Sequence, residues 1–259
     1  MKSQAVSLRG VLLPKEHGSW SLAFEPMALF LLVAPSLGGG ALALAAAAGF
    51  MGRRPCKLAL TLPASDPRRS PARKWAVALI LLSVVFLLAA AVLGGARALW
   101  PLLLAAPFAG LFLWFDLRQG AREAEAEIAG STAFALVPVA GASLAGWALL
   151  PALALAALSL SRNLTTVLTL RTCLRRVRGL TVRVAPALLT AAITFALCAL
   201  LAQRDLVPIT AAALGGAALA RAAWLVSATG PRWSARRLGS IEAGLGAAQL
   251  AVLTFAYAL

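Results

Sequence analysis

Glu16 and His17 stand side by side in Pro14-Lys15-Glu16-His17-Gly18-Ser19-Trp20, the densest chemical group in the chain. Imidazole titrates near neutral pH, so the pair is the candidate for acid–base catalysis, exchanging a proton or serving as ligands. Pro14 sets a turn, Gly18 and Ser19 leave room for a ligand to reach the backbone, and Trp20 follows Glu16 by four positions on the entering helix. The same residues also read as a membrane-interface anchor, with Trp20 at the headgroup level and a solvated His17 beside it.

Glu25, Arg162, Asn163, Arg221 and Glu242 fall inside long apolar runs. An ionised side chain there costs roughly 2.5–3.5 kcal/mol on insertion, so each must be neutralised or used. Two readings stay open: Glu25 or Glu242 pairs with Arg162 or Arg221 and neutralises the interior, or the paired charges border a cavity. Around Arg162, the residues Thr165, Thr169, Thr172 and Arg176 follow at steps of three and four, with Ser159 and Thr166 beside them. On a helix that is one polar stripe, expected to line a cavity whose guanidinium meets phosphate or carboxylate. The hydroxyls have a second use, bonding back to their own helix carbonyls. The candidate ligand-binding set is therefore Trp20, Glu25, Arg162, Asn163, Thr166, Thr169, Arg171 and Arg175, with Glu16 and His17 as the catalytic pair.

Between Asp116 and Glu127 lie four of the nine acids, and Glu123 and Glu127 share a helix face. Two such carboxylates suit a divalent ion, but pairing with Arg118, Arg122 and neighbouring basic loops is the expected role. Cys56, Cys173, Cys198 and a single histidine do not supply a zinc site or a disulfide framework. No metal site and no cofactor is expected. Phosphate-binding glycine loops, Ser-His-Asp orders and Cys-x-x-Cys pairs are missing from the 259 residues.

These side chains need a scaffold, and composition names it. With 61% hydrophobic and 13% charged residues, and a mean hydropathy of +0.86, the chain is all-α and membrane-embedded rather than a soluble globule. Apolar segments run approximately over 20–36, 38–52, 75–95, 98–115, 128–146, 148–170, 184–202, 207–226 and 240–258, nine spans forming a single integral domain over residues 1–259. Ala/Leu-rich runs without period-two polarity exclude a transmembrane barrel.

The net charge of +15 gathers in alternate gaps: twenty of the 24 Lys and Arg lie on one side, and only Arg97 and Arg204 on the other. That is the positive-inside pattern, with the amino terminus in the cytoplasm, and it argues against nucleic acid as a partner. The partner is the lipid bilayer of a bacterial cytoplasmic membrane. The stretch Gly52–Lys74, with four prolines and seven bases, is expected to be the longest and most mobile connection.

The element Pro14-Lys15-Glu16-His17-Gly18-Ser19-Trp20 before a first span resembles the YwiC-like membrane proteins, a family largely without an assigned activity. The nine spans and the polar connections after the second and sixth also resemble the UbiA-like membrane prenyltransferases. There, Asp-rich motifs at these two places hold magnesium and an isoprenyl diphosphate over a cavity open to lipid. Here the first stretch, Gly52-Arg53-Arg54-Pro55-Cys56-Lys57-Leu58, and the second, Arg162 to Arg171, have no carboxylate, so Mg2+ is not expected. The resemblance implies a cytoplasm-facing cavity for an anionic amphipath, an isoprenoid or lipid phosphate, and any reaction would be a prenyltransferase-like transfer. The second reading is a transporter or accessory membrane component using Glu25, Arg162, Arg221 and Glu242 as a charge network.

Overall fold

A computed structural model describes residues 8–12, 18–118, 124–227 and 229–259. The described residues form ten α-helices in order: α1 Leu8–Leu12, α2 Gly18–Val33, α3 Leu37–Thr61, α4 Arg69–Gly94, α5 Leu102–Leu117, α6 Ala124–Leu144, α7 Leu149–Val177, α8 Ala185–Gln203, α9 Thr210–Val226 and α10 Ala235–Ala258. No strand occurs among the described residues. Each of the nine expected segments falls on a helix. Five of those helices (α4, α6, α7, α8 and α10) are long and apolar enough to cross a bilayer, while α2, α5 and α9 are shorter apolar helices.

Helix starts follow the local chemistry. Ser36 opens α3 by accepting the Gly39 N–H at 2.9 Å, and Ser234 does the same for Arg237 at the start of α10. Pro26, Pro55, Pro107 and Pro138 sit within helices, which bundle neighbours make tolerable at membrane depth.

The expected long connection over Gly52–Lys74 is corrected here. Helix α3 continues through Pro55 to Thr61, and α4 begins at Arg69. Proline removes one N–H but does not forbid the next turns, and Thr61 Oγ1 donates to Lys57 O at 2.8 Å in the last one. Pro71 lies in the first turn of α4, where its missing N–H has no intrahelical partner to lose.

Helices α6 and α7 are the inner elements, mostly buried along their apolar lengths, whereas α4 is buried at only a few positions. Helix α4 presents Val77, Ile80, Leu81, Val84, Val85, Leu88 and Val92 outward. In water a face of that kind would aggregate; in hydrocarbon it is the expected lipid contact, and it marks a membrane protein. Close packing at the centre relies on small residues, as where a Cβ on Gly141 would run into the Phe30 ring. Consecutive helices pair, α3 with α4, α5 with α6, α6 with α7 and α8 with α9, and α10 returns to pack beside α2. Arg162 meets Glu242 while Arg176, farther along α7, meets Gly230 just before α10, and Asn163 meets Leu22 while Ser159 lies near Leu29, so α10 and α2 both run against α7 and lie parallel to each other.

Candidate functional site

Four ionic side chains meet inside the bundle. Arg162 Nη1 on α7 lies 3.1 Å from Glu242 Oε2 on α10, and its Nη2 donates to the Glu242 backbone carbonyl at 3.0 Å. Nη1 also donates to Thr166 Oγ1 one turn on, and Nε faces Glu25 Oε2 on α2 at 3.4 Å. The other Glu242 oxygen pairs with Arg221 of α9, and Ser21 donates to Glu25. Two acids against two bases leave no net charge. Glu242 is 3% exposed, so this pairing is what makes its burial tolerable in a low dielectric.

Much of the polar stripe of α7 is bonded to neighbouring helices or back to its own backbone. Asn163, 1% exposed, donates from Nδ2 to Leu22 O on α2 at 3.1 Å and to Ser131 O on α6 at 3.2 Å. The Thr165 and Thr194 hydroxyls bond at 2.9 Å, Thr172 donates to Leu168 O, and Thr169 is fully buried. Arg176 caps α9, donating to the carbonyls of Leu225, Val226, Ser227 and Gly230. Most of the stripe is thus engaged within the bundle, and the buried Thr169 hydroxyl has no hydrogen-bond partner among the described residues; in place of the expected open cavity the stripe borders only small spaces. Two spaces of about 20 Å³ flank Gln249, one touching Ser161, Arg162 and Thr194, the other Glu25, Ser159 and Asn163. Each has room for about one water molecule.

The roomy site lies elsewhere. A groove of about 400 Å³ between α2 and α10 is lined by Trp20, Ser21, Phe24, Glu25 and Ala28 on one wall and Gly239, Ala243, Ala247 and Leu250 on the other. It opens sideways. From Gly239 to Leu250 it runs roughly 16 Å at 1.5 Å per residue, close to half of a bilayer core of about 30 Å. Trp20 stacks on Phe24 with centroids 5.6 Å apart, and both rings meet Phe50 edge-on. Arg236 shares the α10 face of Ser240, Ala243 and Ala247 by register, is exposed and stands at the base-rich end of the groove. Glu25 reaches across beneath it, since a Cβ on Gly246 would collide with the Glu25 carboxylate.

Of the sequence-derived ligand set, the structure gathers Trp20 and Glu25 along the groove and places Arg162, Asn163 and Thr166 just behind Glu25. It does not bring Arg171 and Arg175 to them. Those residues lie nine and thirteen positions along α7, roughly 14 and 20 Å away along the axis. Arg171 holds Glu127 at 3.0 Å, the role expected for that acidic patch, and Arg175 is exposed. Glu16, His17 and Glu123 lie outside the described residues.

Sequence reasoning missed Arg236 and the groove; the signal was the run Gly239, Ala243, Ala247 at steps of four after a basic helix start. Asp116, 4% exposed, takes the role expected for that acidic patch, receiving Lys57 Nζ at 2.9 Å and facing Arg53 Nε at 3.5 Å from the basic stretch after the second span. The Arg53 guanidinium lies 4.9 Å over the Phe112 ring. The stretch after the second span therefore has a carboxylate partner, supplied from α5.

At the same end, Arg68 bonds Asp66 through Nε at 3.0 Å and Nη2 at 2.7 Å and holds its carboxyl down at about 2. Among the described residues no three His, Cys, Asp or Glu side chains come together as a metal ion would require. Residues 13–142, half of the chain, match the family described as YwiC-like protein. No curated protein and no solved structure matches.

Proposed function

The chain belongs to the YwiC-like family, and from that footing we propose that it binds an anionic amphipath, an isoprenoid or lipid phosphate, in the groove between α2 and α10. The protein is read as a multi-pass protein of the bacterial cytoplasmic membrane, amino terminus inside, with its helices arranged in the UbiA-like manner.

One observation supports this above the rest: the groove is mostly apolar, about one leaflet long, open at the surface and in register with Arg236 at its basic end. A tail from the inner leaflet fills it without leaving hydrocarbon, and a phosphate then sits at the headgroup level beside a guanidinium. The head is assigned to Arg236 rather than to Arg162. All the hydrogen-bonding groups of Arg162 are engaged or face Glu25, so an anion arriving there would confront a carboxylate. Trp20 and Phe24 contribute an aromatic wall at the interface, where such rings favour one wet and one apolar end. Binding, rather than a reaction, is what these residues support.

Native mass spectrometry of the detergent-purified protein tests the proposal by counting retained lipid phosphate. Ala247→Trp, which fills the groove, and Arg236→Gln, which removes the head contact, are expected to lower retention. Retention equal to that of the parent in both variants would remove the site.

A further inference from the structure

We propose that the connection between α7 and α8, together with the start of α10, forms a docking surface for the phosphates of anionic phospholipids at the base-rich face of the bilayer. It is separate from the groove and does not depend on it.

Between residues 128 and 241 the chain has one acid, Asp205, and it follows α8 at the opposite end of the bundle. The bases at this end therefore meet few carboxylates. Arg171 takes Glu127 from α6, and Arg176 is engaged with the carbonyls of Leu225, Val226, Ser227 and Gly230. Arg175, Arg178, Arg183, Arg232, Arg236 and Arg237 are exposed and have no acidic partner among the described residues. Across the bundle the arrangement differs, since Asp116 and Asp66 take up Arg53, Lys57 and Arg68. The positive-inside pattern places bases on one side of a membrane, but it does not require them to stay unpaired.

Arg176 ties the last turn of α7 to the connection between α9 and α10. Beneath it, Cys173, Ala187, Leu225, Val226 and Leu238 bring the ends of all four helices into one small apolar cluster, with Trp233 against it. The six guanidinium groups thus stand around a single patch.

The surroundings of these bases favour lipid over an acidic protein or a nucleic acid. Val177, Leu180 and Val184 are interleaved with Arg178 and Arg183, are exposed, and run on into the outward Leu189 and Ile193 of α8. The bases therefore border the hydrocarbon-facing surface itself, as in a segment lying at the headgroup boundary. Trp233 packs edge-on against the exposed Trp224 with centroids 5.5 Å apart, and Arg237 lies 4.8 Å over the Trp233 ring. An indole with one apolar and one wet side suits that same depth. Each base beside an anionic leaflet contributes roughly fivefold in affinity.

Native mass spectrometry of the delipidated protein, titrated with cardiolipin and separately with phosphatidylcholine, tests the surface. The parent is expected to bind cardiolipin more tightly than phosphatidylcholine. The triple variant Arg175→Gln, Arg178→Gln, Arg183→Gln should weaken cardiolipin binding by about tenfold or more and leave phosphatidylcholine binding unchanged. The pair Arg232→Gln, Arg237→Gln should weaken it by more than the charge-matched pair Arg73→Gln, Lys74→Gln on α4, and it serves if the triple variant does not fold. Cardiolipin binding equal to the parent's in the patch variants, or an equal loss in the α4 pair, would overturn the surface. Loss on Ala247→Trp with no loss in the patch variants would place the bound cardiolipin in the groove and overturn it as well. Tighter binding of polyglutamate or of an oligonucleotide than of cardiolipin, lost in the patch variants, would overturn lipid as the partner.

Discussion

The carboxylate of Glu25 occupies the space that a side chain on Gly246 would fill. The first and last large helices of the bundle are therefore fitted to each other at a glycine, beside a carboxylate that also faces Arg162. The groove and the ion cluster meet at this contact.

Gly246→Ala should accordingly push the Glu25 carboxylate away from its place beside Arg162 and lower stability, by about 1 kcal/mol, the low end of overpacking costs, because the displaced atoms are the end of a flexible side chain. Two residues earlier, a Cβ on Gly244 would meet no neighbouring atom within 4 Å, and Gly244→Ala should be neutral or stabilising by about 0.4–1 kcal/mol through the unfolded chain. Thermal denaturation of the two variants in the same detergent separates them. Equal melting temperatures would mean that the contact is not formed.

Glu242→Ala leaves Arg162 and Arg221 facing each other without their shared carboxylate, and should cost about 3–5 kcal/mol, as for a broken buried pair. Adding Arg221→Ala should cost much less than its own single effect, because the carboxylate that Arg221 pairs with is already gone and one of the two stranded charges is then removed. A double-mutant cycle on reversible unfolding reads the coupling. Additive effects would contradict the shared pairing.

Asn163 ties α2, α6 and α7 through one amide nitrogen. Asn163→Leu should destabilise by about 1–3 kcal/mol through loss of both bonds. Asn163→Asp should be worse, since an acceptor then faces two carbonyls. Unfolding midpoints order the three proteins.

Which of these relations the sequence discloses depends on how local the cause is. Apolar runs are local, so all nine expected segments fall on helices. Intramembrane charges must be paired, so the anticipated partnership of Glu25 and Glu242 with Arg162 and Arg221 needed only that electrostatic rule. The continuation of α3 through Pro55 was hidden because the carboxylate that receives Lys57 and Arg53 lies on Asp116, far along the chain. The Thr stripe misled for another reason: hydroxyls at helical spacing look the same whether they face water or a neighbouring helix, and Thr165 with Thr194 shows the second case. The groove was overlooked because Gly239, Ala243 and Ala247 also fit a tightly packed helix contact.

The loop between α3 and α4 gives a prediction in pH. Arg68 depresses the carboxyl of Asp66 to about 2, below an unfolded value of about 3.9. A depressed acid stabilises the fold above its unfolded value, and that contribution is lost as the pH falls through the folded value. The parent should therefore be slightly more stable than Asp66→Asn above about pH 4, with the gap closing toward about pH 2. Melting curves across that window check the sign. A gap that widens on acidification would contradict the assignment.

Photo-crosslinking with an isoprenyl phosphate carrying a diazirine along its chain tests the central claim most directly, with labelled peptides mapped by mass spectrometry. Label concentrated on residues 20–28 of α2 and 239–250 of α10, and reduced by Ala247→Trp, is the predicted result. Label distributed over the lipid-facing side of α4 as heavily as over the groove, and unchanged by that substitution, would contradict it.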